Sequence, residues 1–135
     1  MTDAHRGVKV LLQELPKVDG IEPETSLTEK EGTLSLWYEF HPRDGASVYG
    51  GIRFEKTRSY RFAAESHCDE WQIGGVYDRL VEIQDSPWIE ALNRSRVLDK
   101  REPWPIRHYM IYVGDDGCYE VAAERWSMVA GARDA

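Results

Sequence analysis

The segment Gly114-Asp115-Asp116-Gly117, set between two runs rich in aromatic and aliphatic residues, constrains this chain more than any other feature. An Asp-Gly pair supplies the positive φ that tight hairpin turns demand. The flanking runs, His108 to Val113 and Cys118 to Trp126, therefore read as two antiparallel strands. Side chains alternate along a strand, and cross-strand pairs are the unit of sheet stability. Tyr109, Ile111 and Val113 are thus expected to share a buried face with Tyr119, Val121 and Ala123. His108, Met110 and Tyr112 fall on the opposite face, with Glu120, Ala122 and Glu124. That face is chemically mixed, which marks it as a site wall or partner surface. A solvated Glu120 there would tolerate conversion to Gln with little loss of stability.

The rest of the chain carries the same signature. Thr33 to His41 alternates Leu34, Leu36, Tyr38 and Phe40 with polar or aromatic neighbours, as a half-buried strand does. Pro42-Arg43-Asp44-Gly45 is a turn signal. Ser47 to Glu55 alternates again, and Gly50-Gly51 within it implies a bulge or a close backbone approach. Ser59 to Ala64 completes an expected three-strand antiparallel meander. Asp19 to Gly32 is a polar, acidic loop with one strand around Glu24 to Thr28. Leu80 to Gln84 is a short strand. Ser86 then suits a helix N-cap and Pro87 the first helical position, with Trp88, Ile89 and Leu92 as the inward stripe. Val8, Leu11, Leu12 and Leu15 recur at helical spacing, so a first helix ending at Pro16 is expected. Asn93 to Pro105 reads as a basic loop. These elements predict one α+β domain over residues 1–135. It is mainly antiparallel β, with about seven strands in a bent sheet or half-open barrel and two short helices.

Aromatic residues make up 11% of the chain, which suits pleated surfaces. The net charge of −7 disfavours nucleic acid and anionic lipid as partners. Two cysteines form no disulfide framework, and no long apolar run suggests a signal peptide or a membrane span. The cytoplasm is the expected location.

Charge is segregated along the sequence. Between Glu65 and Glu90, seven acids face Arg79 alone. Bases cluster at Arg53, Lys56, Arg58 and Arg61, and again from Arg94 to Arg107. An acidic surface attracts a basic protein partner and speeds encounter; solvated loops give the same composition for solubility alone. The first reading assigns partner contacts to Glu65, Asp69, Glu70, Asp78 and the neighbouring Trp71. Trp37, Trp71, Trp104 and Trp126 are either interface anchors or packed beneath loops.

His67-Cys68-Asp69-Glu70 places four metal-ligating residue types in a row, but adjacent strand residues point to opposite faces, so no metal or other cofactor is expected. Cys118 could act as a nucleophile only with a base such as His108 beside it; a structural cysteine is the commoner case. No Gly-x-Ser-x-Gly, phosphate-binding glycine loop or His-Glu-x-x-His occurs. The leading expectation is a non-enzymatic interaction module with an acidic face. The alternative is a small-molecule-binding or enzymatic barrel that uses His67, Cys68, His108 and Cys118.

The runs Tyr77 to Trp88, His108 to Val113 and Gly117 to Trp126 resemble a family of small, uncharacterised bacterial proteins, over roughly Trp37 to Trp126. In size, acidity and strand-rich layout the chain also looks like immunity proteins of bacterial polymorphic toxin systems. That likeness implies neutralisation of a basic toxin and transfers no catalytic residue.

Overall fold

The structure, a computed structural model, describes residues 6–14, 25–40, 48–94, 105–114 and 116–131. The expected turn at Pro42 to Gly45, Trp104 and most of the basic loop lie outside them. Among the described residues there are nine strands in two sheets. They are β1 (Val8–Glu14), β2 (Thr25–Lys30), β3 (Thr33–Phe40), β4 (Val48–Glu55), β5 (Ser59–Ala64), β6 (Arg79–Gln84), β7 (Arg107–Val113), β8 (Gly117–Ala123) and β9 (Arg125–Gly131). A 3-10 turn (Glu65–His67) and helix α1 (Glu70–Ile73) follow β5, and helix α2 (Pro87–Arg94) follows β6. One sheet runs β1-β6-β7-β8-β5 and the other β2-β3-β4-β9, with every strand pairing antiparallel. The α+β, mainly antiparallel class is as the sequence predicts; the arrangement is two packed sheets, not a closed barrel.

The β7–β8 hairpin pairs Tyr109 with Val121 and Ile111 with Tyr119. Their shared face meets Leu34, Leu36, Ile52 and Phe54 of the four-stranded sheet in one core. The Phe54 and Tyr109 rings lie 5.5 Å apart there, a spacing usual for tilted aromatic pairs. The hairpin's other face is covered too. Val76, Val81, Ile83, Met110, Tyr112 and Cys118 form a second core, on which Cys68, Trp71 and Ile73 pack. Every residue of β8 is consequently buried.

Three expectations are corrected. Val8 to Glu14 is a strand, not a helix. Its ladder with β6 shifts register between Leu11 and Gln13, and such a bulge interrupts strict alternation. A bulged strand thereby imitates the i, i+3, i+4 spacing of a helix. The third strand of the supposed meander leaves its neighbours: after Lys56 at φ 57, β5 crosses to the other sheet and pairs with β8. The run from Cys118 to Trp126 breaks at Glu124, and β9 begins in the opposite sheet. That break resets the alternation and lets Trp126 pack on the main core. The short helix α1, held by a capping box between Asp69 and Gln72, has no counterpart in the sequence reading. At Gly51 the close-approach alternative holds: a Cβ there would lie 2.7 Å from the Leu36 carbonyl oxygen and 2.9 Å from the Trp37 ring.

Candidate functional site

The helical layer meets the five-stranded sheet around a chain of buried polar groups. Antiparallel pairing puts Arg61 of β5 opposite Glu120 of β8, and His108 lies on the same face one strand further on. Arg61 donates to the Glu120 carboxylate through Nε (2.9 Å) and Nη2 (3.0 Å). His108 Nε2 stands 2.8 Å from Glu120 Oε1, and His108 Nδ1 stands 2.7 Å from Ser86 Oγ. Ser86 Oγ also accepts from the Ile89 N–H, as the helix cap read from the sequence. The network is satisfied with the proton on Nε2 donated to Glu120 and the Ser86 hydroxyl donating to Nδ1. Asp85, at φ 54, turns the chain from β6 into α2 and so sets Ser86 against His108.

Glu120 is 4% exposed, so the solvated carboxylate on which a mild Glu120→Gln exchange depended is absent. Burial alone would raise its pKa; the hydrogen bonds from His108 and Arg61 outweigh that and hold it at about 2.

Above this chain lies a cleft of about 280 Å³ lined by Arg6, Arg61, Trp71, Ser86, Trp88 and His108, with Pro87 at its edge. Trp88 meets the His108 ring edge-on at 4.8 Å, and the Arg61 guanidinium lies 4.3 Å from the Trp88 ring centre. Across the cleft, Arg6 and Lys9 stand 4.5 and 4.6 Å from the Trp71 ring centre. These are cation–π distances. Lys9 also donates to the carbonyl oxygens of Trp71 and Gly74.

The acids singled out from the sequence disperse. Glu65, Asp69 and Glu70 are exposed, close to half-buried Trp71. Asp69 is paired with Arg6 at 2.8 Å. Asp78 is 9% exposed and is not part of any acidic surface. Bases distant in sequence close on the acids in space: Arg107 on Glu82, Arg58 on Glu124 and Arg61 on Glu120.

His67, Cys68, His108 and Cys118 do not form one site. His67 is exposed, whereas His108 is buried. Cys68 packs near Cys118 in the second core, but Cys118 sits opposite Tyr112 and His108 opposite Ala122, with the Met110–Glu120 pair between them. Burial pushes the Cys118 thiol well above its usual range, which opposes thiolate chemistry. Among the described residues, no group of three or more His, Cys, Asp or Glu could hold a metal ion.

Sequence reasoning missed Ser86 and Arg61 as members of the site. Ser86 was legible only as a cap, and Arg61 only as one of several clustered bases. Knowing that β5 pairs with β8 would have revealed the Arg61–Glu120 contact. Compared with protein-family models, curated proteins and solved structures, the chain matches none.

Proposed function

We propose that this chain is a non-enzymatic interaction module whose contact surface is the helical layer, centred on the cleft between Trp71 and Trp88. The observation that carries this reading is the internal commitment of the buried polar chain. Hydroxyl, imidazole and carboxylate follow one another as in a nucleophilic triad, but the Ser86 oxygen is engaged by Ile89 as a helix cap. The next residue, Pro87, has no N–H to offer a developing oxyanion. The groups beneath the cleft fix its walls, and Trp71, Trp88 and the cations above it are left to make contacts. Intact-mass measurement after exposure of the folded protein to a fluorophosphonate and to iodoacetamide tests this. Ser86 and Cys118 are expected to stay unmodified; an adduct at either would move the reading to an enzyme.

A second reading rests on the exposure of Glu65 in the 3-10 turn and Glu70 in α1. There the module engages a basic protein, and a toxin-neutralising immunity role is its sharpest form. An electrostatically steered encounter falls steeply with ionic strength. Association with a basic partner co-purified from the native cell should therefore slow in a Glu65→Lys, Glu70→Lys double variant at low salt. Unchanged association would remove this reading.

A further inference from the structure

We infer that the cleft between Trp71 and Trp88 binds a small planar organic anion, an aromatic carboxylate, with its ring against the indoles and its acid group on Arg6 and Arg61. The inference rests on the helical layer being the contact surface and names the ligand class for it. Size limits the occupant first. A volume of about 280 Å³ lies just under the roughly 300 Å³ at which ligand pockets begin. One ring with its acid group fits; a dinucleotide does not.

Hydrogen-bond donors then select its chemistry. Arg6 and Arg61 line the cleft and stand on the Trp71 and Trp88 rings, each paired with one carboxylate, Asp69 and Glu120. Both keep unused N–H donors, and a guanidinium's donors match the oxygens of a carboxylate. Arg61 spends Nε and Nη2 on Glu120, which leaves Nη1 for a ligand. Arg6 spends Nη1 on Asp69, which leaves Nε and Nη2. Stacking holds both guanidiniums in place, and a preorganised guanidinium binds a carboxylate with little further loss of freedom. The floor adds shape rather than charge, because Ser86 and His108 are bonded to each other. Beyond Ser86, the adjoining groove carries Glu82, Asp85 and Glu90 against Arg107. That acidic side repels a carboxylate and orients it towards Arg6 and Arg61.

The test titrates the full chain with salicylate, cyclohexanecarboxylate, inorganic phosphate and benzamidine. Calorimetry gives affinity, and the indole N–H resonances of Trp71 and Trp88 report location. Salicylate should saturate one site and shift both indoles, with phosphate and cyclohexanecarboxylate about tenfold weaker because neither offers a ring face. Arg6→Gln, at the exposed rim, should weaken salicylate about tenfold with an unchanged melt. Phosphate binding as tightly as salicylate, or salicylate binding unchanged in Arg6→Gln, would overturn the inference. Benzamidine saturating the indoles while salicylate does not would overturn the ligand class and leave the contact surface standing. No indole shift with any of the four probes would overturn both.

Discussion

The Glu120 carboxylate is shared by donors from the two neighbouring strands: Arg61 closes on it from β5 at 2.9 and 3.0 Å, and the His108 imidazole meets the same carboxylate from β7 at 2.8 Å. Removing that negative charge strands a buried imidazole and an arginine fork together. Breaking a buried pair by deleting one partner is strongly destabilising. Glu120→Gln should therefore cost about 2–4 kcal/mol, somewhat moderated because Arg61 reaches solvent. Urea denaturation at neutral pH checks this, and a loss within experimental error of zero would contradict the buried network.

Acid stability follows from the same carboxylate. Its folded pKa of about 2 lies below the ordinary value of 4.5. The folded state thus holds fewer protons than the unfolded chain between those values. The Glu120 contribution is fully present above pH 4.5 and is lost as pH falls towards 2. Stability measured from pH 6 down to pH 2 should decline over that window. In Glu120→Gln the decline should be shallower by up to one proton taken up on unfolding. Identical slopes in the two proteins would show that Glu120 is not the titrating group.

Ile111 is 1% exposed and faces the core between the sheets. Ile111→Asp would bury an unpaired carboxylate at a cost of several kcal/mol, of the same order as the total stability of a small domain. The variant should lack a cooperative thermal transition by circular dichroism. A mild shift in melting temperature would mean that this face is not the core.

Gly51 has no room for a side chain. A Cβ would approach backbone, the Leu36 carbonyl oxygen, at 2.7 Å as well as the Trp37 ring. Overpacking of this kind costs about 1–3 kcal/mol, so Gly51→Ala should lower the denaturation midpoint accordingly. An unchanged midpoint would mean that β3 and β4 can separate locally at no cost.

The faces of the β7–β8 hairpin were legible because alternation and an Asp-Gly turn are both local signals. The same locality explains what was not legible. The bulge near Leu12 depends on pairing with β6. The departure of β5 from β4 depends on where Ala122 stands to accept the Arg58 N–H. The mixed face of His108 and Glu120 looks solvent-facing in sequence because polar residues usually are. It is buried because α2 and β5 bring a hydroxyl and a guanidinium to those polar atoms. No residue-by-residue pattern records that β5 and β8, more than fifty positions apart, are neighbours, and the Arg61–Glu120 contact depends on that pairing.

Ser86 gives the last and most discriminating test, because it serves helix and sheet at once. Its oxygen caps α2 through the Ile89 N–H and stands against His108 Nδ1. Loss of an N-cap costs about 1 kcal/mol, and leaving the buried Nδ1 without its partner adds about 1–3 kcal/mol. Ser86→Ala should thus destabilise by about 2–4 kcal/mol. The cap and the imidazole contact separate in a double-mutant cycle with Glu120→Gln. The cap does not involve Glu120, so that share should add. The His108 share should not add, since an imidazole freed by Glu120→Gln has already lost the orientation that Ser86 relies on. A coupling of about 1 kcal/mol is expected, typical of residues in one hydrogen-bond network. Strict additivity would mean that Ser86 acts as a helix cap alone and that the Ser86–His108 contact contributes nothing to the fold.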